Sequence, residues 1–470
     1  MGVMAPAPAL RSGGFRYATA LRLIAALVVM AAPLWFSFLL SADIRISTPW
    51  DSATILLLMF LAFSAVALVS QNDGVLRRVM MVGLLYKMAA CAASLYLALY
   101  VYNGSADALS YSNWGRRIAT RLLYSGEWTV LQPVWGTNFV RMVTACLFLL
   151  IGPSLAAGTV AFALIAFWGQ YLCYRAFCYA FPARPEDRHF AAMLIFLLPS
   201  LVFWSSSIGK DALAGFFIGL VCYGYARLGR KNRPTFYLPL VLGVIGVLLV
   251  RPHVALMLGI ALTFPYVIAR SSSGMRGARL LMFPLFLAAT LYLAVVAKEF
   301  LELDDISKGA AVVSRINASS NVGGSSFGGE ASGLARVLAI PVLFFRPFPW
   351  EIHNLQAAVA SVEGMLLLVL CYRNRRQIIT SIRGWRSTPF TVFILGFLVE
   401  FSVIFSAAIA NFGLLARERI MATPLLLMLM CVRAREEITR PQQPPDLAGP
   451  SQEPIAENAT VAPVVRGARI

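Results

Sequence analysis

The sequence predicts an all-α, polytopic integral membrane protein. Of its 470 residues, 59% are hydrophobic and only 13% are charged, whereas soluble proteins average about 25% charged residues. The apolar residues form blocks of about 17–25 residues, which is the length that an α-helix needs to cross a bilayer core of ~30 Å. Basic residues concentrate in alternate linkers between these blocks, which is the pattern of cytoplasmic loops.

Twelve transmembrane helices are predicted from the apolar blocks. The first block follows three arginines and is too long for the apolar region of a cleaved signal peptide, so we interpret it as a retained span. The predicted spans are 20–40, 52–70, 79–101, 155–174, 190–208, 212–228, 236–250, 254–269, 280–297, 355–372, 389–410 and 420–432.

Two shorter apolar stretches, 138–151 and 335–345, are predicted to lie at the membrane interface. The first carries Arg141, and counting it as a span would place the later basic linkers outside. We therefore expect a membrane domain over 1–432. Its two large extracytoplasmic loops are predicted at 102–153, which is helical and interfacial, and at 298–354. The polar, proline-rich segment 433–470 is predicted to be a disordered cytoplasmic tail.

The charge distribution predicts the location and excludes one class of partner. The net charge is +18, from 40 basic and 22 acidic residues. With both termini cytoplasmic, nearly all of this excess falls on the cytoplasmic side, so positive-inside bias accounts for it. We expect a multi-pass protein of the plasma (inner) membrane that contacts membrane lipids and no nucleic acid. The seven cysteines form neither a disulfide framework nor a zinc motif.

Ionisable residues collect at the extracytoplasmic ends of the predicted spans, where they are costly unless paired or functional. Each also has a structural interpretation: the cations could be snorkelling anchors, the Lys-Asp pair a local ion pair, the histidine a hydrogen-bonded structural residue and the glutamate a cap. What favours a site is that several span ends place such groups on one face. The candidates are Asp107, Lys210, Asp211, Arg251, His253, Arg346, Glu351, Arg417 and Arg419.

This combination of groups suits an anionic lipid headgroup. Arginine presents a planar set of donors that matches phosphate oxygens, and a nearby carboxylate can act as general base for a hydroxyl group. We predict Asp107, Asp211 and Glu351 as catalytic and the six cationic or histidine residues as substrate-binding. The Gly/Ser-rich stretch 317–330 is either a linker or a lid. No cofactor is required, although Asp107 and Asp211 could share a divalent metal.

The arrangement of these segments resembles the GT-C superfamily of polytopic membrane glycosyltransferases. The resemblance covers about residues 80–260: an extracytoplasmic loop with an early Asp107, an amphipathic stretch ending in 148–154, and a helix ending in 199–211. It implies transfer of a sugar from a polyprenyl-phosphate donor to a cell-envelope glycan or lipid acceptor at the outer face of the plasma membrane. It also implies Asp107 as the catalytic base, with Asp211 assisting.

Two alternatives remain. The motifs 346–351 and 411–419 resemble polysaccharide polymerases of the O-antigen (Wzy) type, which use polyprenyl-diphosphate oligosaccharides. A lipid or solute transporter also suits twelve spans, but transporters place charges near the bilayer midplane. Here few charges lie near the middle of the predicted spans (Lys87, Glu363 and Glu400), and the polar clusters lie at one face, which favours an enzyme. The sequence does not indicate which sugar, acceptor or linkage is used.

Overall fold

The computed structural model describes most of the central part of the chain. It covers residues 49–230, 233–268, 284, 287–296, 343–352, 355–408 and 411–432. The predicted first span, the stretch 317–330 and the predicted tail 433–470 lie outside the described residues. Within the described part the chain is helical and contains no β-strand, which confirms the all-α prediction.

The described residues contain sixteen α-helices, together with short 3-10 and π-helical turns and connecting loops. In chain order they are α1 (Pro49–Val69), α2 (Gly74–Tyr96), α3 (Asp107–Ser125), α4 (Thr137–Ile151), α5 (Leu155–Ala180), α6 (Pro185–Leu197), α7 (Pro199–Phe203), α8 (Lys210–Arg230), α9 (Tyr237–Val250), α10 (Pro252–Ile268), α11 (Leu287–Val296), α12 (Leu355–Arg373), α13 (Arg375–Arg383), α14 (Pro389–Ala408), α15 (Phe412–Glu418) and α16 (Thr423–Met430).

Five of the described helices are long and apolar enough to cross a membrane. They are Trp50–Val69, Gly74–Val101, Leu155–Ala180, Lys210–Gly229 and Pro389–Ser406. A sixth span is added if α12 and α13, which are bent by 66° relative to each other, count as one broken helix. These apolar helices indicate a membrane protein, while the full count of twelve spans stays a prediction.

The predicted span 190–208 is not one helix, and this corrects the sequence analysis. α6 ends at Leu197, and Leu198 takes an extended conformation with ψ of 123° before the short α7. The cause is Pro199, which lacks an N–H and excludes the α conformation from the residue before it. The chain then makes a turn over 204–209 before α8 begins.

Local side-chain caps define where several helices start. The Asp73 carboxylate accepts hydrogen bonds from the N–H groups of Val75 and Leu76 at the start of α2. At the start of α5, the Ser154 hydroxyl accepts from the N–H of Ala157. These oxygens satisfy N–H groups that have no partner inside the helix.

α5 and α8 form the centre of the structure and run parallel. Gly158 lies against Ile208 and Gly169 against Phe216, while the Tyr179 and Tyr223 rings are 5.9 Å apart. The approach depends on glycine, because a methyl group at Gly169 would lie 2.5 Å from the Cα of Phe216. Small residues permit such close helix contacts in membranes. The parallel arrangement places the first residues of α5 and α8 at one end of the bundle.

Candidate active site at the ends of the helices

A pocket of about 370 Å³ lies at this end of the bundle. It is bordered by the C-terminal part of α2 and its π-helical extension, the start of α3, the turn before α8, and α15. Its lining residues are Ser94, Leu97, Ala98, Tyr102, Ser105, Ala106, Asp107, Ala108, Phe203, Trp204, Ser207, Ile208, Gly209, Asp211 and Arg417. Three residues predicted as site residues from separate parts of the sequence therefore line one pocket.

Asp107 is the accessible carboxylate of this pocket. It is the first residue of α3, and its side chain is 66% exposed. One of its oxygens, Oδ2, lies 3.6 Å from Nη1 of Arg417. The carboxylate is thus held beside a guanidinium group while it stays open to a ligand.

Asp211 has the opposite environment, with only 6% of its side chain exposed. Its Oδ1 accepts a 2.6 Å hydrogen bond from Nη2 of Arg251, and its Oδ2 accepts a 2.5 Å bond from Nε of Arg417. Arg251 also donates through Nη1 to Glu418. We call the set Asp211, Arg251, Arg417 and Glu418 the buried charge network. Since both oxygens of Asp211 bind arginines, this residue positions them and is poorly placed to accept a proton.

Arg417 connects the buried charge network to the pocket. Its attraction to the Asp211 carboxylate raises the pKa of the Arg417 guanidinium, although burial opposes this. The residue therefore stays cationic and contacts both Asp107 and Asp211. A divalent ion shared by these two carboxylates, as considered from the sequence, would have to take the place that this guanidinium fills. Within the described residues, no group of three or more His, Cys, Asp or Glu side chains could hold a metal ion.

Lys210 supplies a second cation beside the pocket. It begins α8, is partly exposed, and interacts electrostatically with Asp107, Asp211, Arg251 and Arg417. Its ammonium group makes no hydrogen bond or ion pair with any described residue. Lys210 can therefore contact a bound anion without giving up an internal partner.

Three other candidates, Arg346, Glu351 and His253, do not line the pocket. Arg346 and Glu351 form an ion pair, with Nη2 and Oε1 2.5 Å apart, and Arg346 stacks on the Phe412 ring at 5.0 Å. His253 is partly buried at the start of α10, where its ring lies 6.2 Å from the Phe405 ring. The structure therefore does not place Glu351 with Asp107 and Asp211.

Arg419 has an internal role that the sequence did not reveal. Its side chain is 0% exposed, and it donates to the carbonyl groups of Phe344 and Arg346 and to Oε1 of Glu363. Glu363 in turn accepts a 2.5 Å bond from the N–H of Ser200. Arg419 thus joins three segments of the chain, and it does not line the pocket.

The sequence analysis did not identify some residues of the site. Glu418 completes the buried charge network through its contact with Arg251. The charged triplet 417–419 could have pointed to it, but only the two arginines of that triplet are predicted as site residues. Tyr102, Phe203 and Trp204 add aromatic surface to the pocket wall, and no sequence pattern distinguished them from membrane-facing aromatic residues. The Phe203 and Trp204 rings pack edge to face at 5.1 Å.

Comparisons with protein-family models, with curated proteins and with solved structures found no match.

Proposed function

We propose that this chain is a glycosyltransferase that moves a sugar from a polyprenyl-phosphate donor to a cell-envelope glycan or lipid acceptor at the outer face of the plasma membrane. The observation that carries the proposal is that the exposed Asp107 carboxylate lies beside the Arg417 guanidinium in one pocket, with the Lys210 cation close by, next to the ends of apolar helices. A carboxylate and cations at this position match the two needs of such a reaction.

The first need is a base for the acceptor. Asp107 is exposed at the pocket wall, and the one guanidinium beside it, 3.6 Å from Oδ2, leaves its other oxygen open to a ligand. In the proposed reaction it takes the proton of an acceptor hydroxyl as the hydroxyl oxygen attacks the anomeric carbon. A general base in such a position contributes about 10²–10⁴-fold to the rate.

The second need is stabilisation of the departing lipid phosphate. As the bond between the anomeric carbon and the phosphate oxygen breaks, negative charge grows on the phosphate. Arg417 is a positive charge that the protein has already fixed in place, because Asp211 holds it through a 2.5 Å bond, and Lys210 adds a second cation nearby. Preorganised cations stabilise the developing charge more than they stabilise the intact donor, which is the requirement for catalysis.

The position of the pocket relative to the bilayer supports a lipid-linked donor. Tyr96 and Tyr100, next to the pocket residues Leu97 and Ala98, are exposed and their rings are 5.2 Å apart. Exposed tyrosines at the end of a span are typical of the membrane–water interface. A polyprenyl donor that diffuses in the bilayer presents its phosphate at this level, close to Lys210 and Arg417.

The proposal is tested by reconstituting the purified full-length chain in liposomes with labelled polyprenyl-phosphate sugars. We expect a new glycosidic bond with the wild type and a loss of about 10²–10⁴-fold in turnover for Asp107→Asn. Glu127→Gln is the matched control, because Glu127 is also an exposed carboxylate beside an arginine, Arg121 at 3.9 Å, but does not line the pocket.

Three outcomes would contradict this proposal. Equal turnover of Asp107→Asn and the wild type would remove the proposed base. Chain growth only from polyprenyl-diphosphate oligosaccharides would instead support a polymerase. Movement of lipid or solute across the bilayer without a new glycosidic bond would support a transporter.

A further inference from the structure

A second cluster of arginines lies at the opposite end of α5 and α8 from the pocket. Because these helices run parallel, their last residues share one end of the bundle. Arg227 follows Asp211 by 16 residues along α8, which corresponds to about 24 Å at a rise of about 1.5 Å per residue. This separation approaches the thickness of a bilayer core, so the cluster and the pocket belong to opposite boundaries of the membrane.

Tyrosines connect the two arginines of this cluster. Arg175 donates hydrogen bonds to the hydroxyl groups of Tyr171 and Tyr179, at 3.0 and 2.7 Å. Arg227 donates to the hydroxyl of Tyr223 at 2.6 Å. The guanidinium carbons of Arg175 and Arg227 lie 5.2 and 5.1 Å from the centre of the same Tyr179 ring. Both guanidinium groups therefore lie close to the same aromatic ring.

The charges of this cluster are not neutralised by any described residue. Neither Arg175 nor Arg227 has a carboxylate of the described residues within 4 Å, and their partners there are neutral hydroxyl groups and aromatic rings. By contrast, Arg251, Arg346 and Arg417 each form an ion pair with an acid. Both cluster arginines are only partly buried, so a ligand can reach them.

The donors of the cluster suit a phosphate group. A tyrosine hydroxyl that accepts a bond from arginine keeps its own hydrogen to donate, so the cluster offers three O–H donors beside the remaining guanidinium N–H donors. Arginine binds phosphate oxygens through paired, charge-assisted hydrogen bonds. Basic pockets between membrane helices bind anionic headgroups in this way.

We infer that Arg175 and Arg227, together with Tyr171, Tyr179 and Tyr223, bind the phosphate of an anionic phospholipid at the membrane boundary opposite the pocket. The phosphate lies against the two guanidinium groups, while the acyl chains follow the apolar surface of α5 and α8. This lipid is distinct from the proposed sugar donor, and the inference does not depend on the proposed reaction.

The test uses the full-length chain in detergent micelles, titrated with short-chain phosphatidylglycerol and, separately, with phosphatidylcholine or inorganic phosphate. The readout is the thermal unfolding temperature, which rises when a ligand binds the folded state. We expect phosphatidylglycerol alone to raise it. Replacement of both arginines, Arg175→Gln with Arg227→Gln, should weaken the apparent affinity about tenfold or more, because charge-assisted bonds are lost.

Two further variants keep the result interpretable. Arg175→Lys with Arg227→Lys keeps both charges but loses the planar donor sets, and we expect an affinity between those of the wild type and the glutamine pair. Arg373→Gln with Arg376→Gln removes the same charge from exposed arginines and should leave the affinity unchanged.

The inference is overturned if the glutamine pair binds phosphatidylglycerol as tightly as the wild type, or if the control pair weakens binding equally. An equal thermal shift with inorganic phosphate at the same concentration would overturn the assignment to a lipid.

Discussion

The buried charge network makes a quantitative prediction for Asp211→Asn. The substitution keeps the shape of the side chain but removes the charge that Arg251 and Arg417 share at 2.6 and 2.5 Å. Breaking a buried ion pair by removing one partner costs about 3–5 kcal/mol. Arg251 keeps Glu418 and Arg417 keeps Asp107, so neither guanidinium is left without an acid. We therefore expect a loss at the lower end, about 3 kcal/mol.

The free energy of unfolding can be measured by titrating the protein in mixed micelles with sodium dodecyl sulfate while recording tryptophan fluorescence. Asp107→Asn is the matched control, because it removes a charge from the same pocket but from a side chain that is 66% exposed. An exposed ion pair contributes only about 0–1 kcal/mol. If Asp211→Asn unfolded within about 1 kcal/mol of Asp107→Asn, the network would not stabilise the fold and the reasoning would be refuted.

Two other predictions concern helix packing and pH. Gly169→Val should destabilise the protein by about 1–3 kcal/mol through overpacking and lower its thermal unfolding temperature. Gly215→Ala should be tolerated because an added methyl group there meets no atom within 4 Å, so equal losses would contradict the packing argument. Burial disfavours the ionised form of Asp73, but hydrogen bonds from the Leu76 N–H and His189 outweigh it and lower the pKa of Asp73. This carboxylate therefore stabilises the fold above its unfolded pKa of about 3.9, and the stabilisation is lost as the pH falls through its lower folded pKa. Unfolding measured between pH 6 and 3 should show this loss in the wild type and not in Asp73→Asn, and identical profiles would refute it.

The fold could be predicted from the sequence where hydropathy alone determines the helix. The predicted spans 52–70 and 155–174 correspond to α1 and α5, because a long apolar run in a bilayer has to satisfy its backbone hydrogen bonds internally. The span 190–208 was predicted as one helix because its apolar character continues through Pro199. There the backbone restriction imposed by proline outweighs hydropathy.

The site could be predicted only in part. Asp107 and Asp211 were selected because each lies at the end of a span, and the structure places both at one pocket with Arg417. The sequence could not distinguish arginines whose side chains reach the pocket from arginines that form ion pairs and hydrogen bonds inside the protein. Arg419 pairs with Glu363, 56 positions earlier in the chain, and such a pairing depends on tertiary packing that no local pattern encodes.

The glycine contact between α5 and α8 also bears on the bilayer in which this protein works. Asp211 and Arg227 lie 16 residues apart on α8, about 24 Å at a rise of about 1.5 Å per residue, and α5 packs alongside in close contact at Gly169. A lipid environment whose hydrocarbon thickness differs from this distance has to deform around the helices, at a cost of fractions of a kcal/mol for each ångström. A bilayer whose hydrocarbon thickness matches this distance would need the least deformation around the α5–α8 pair.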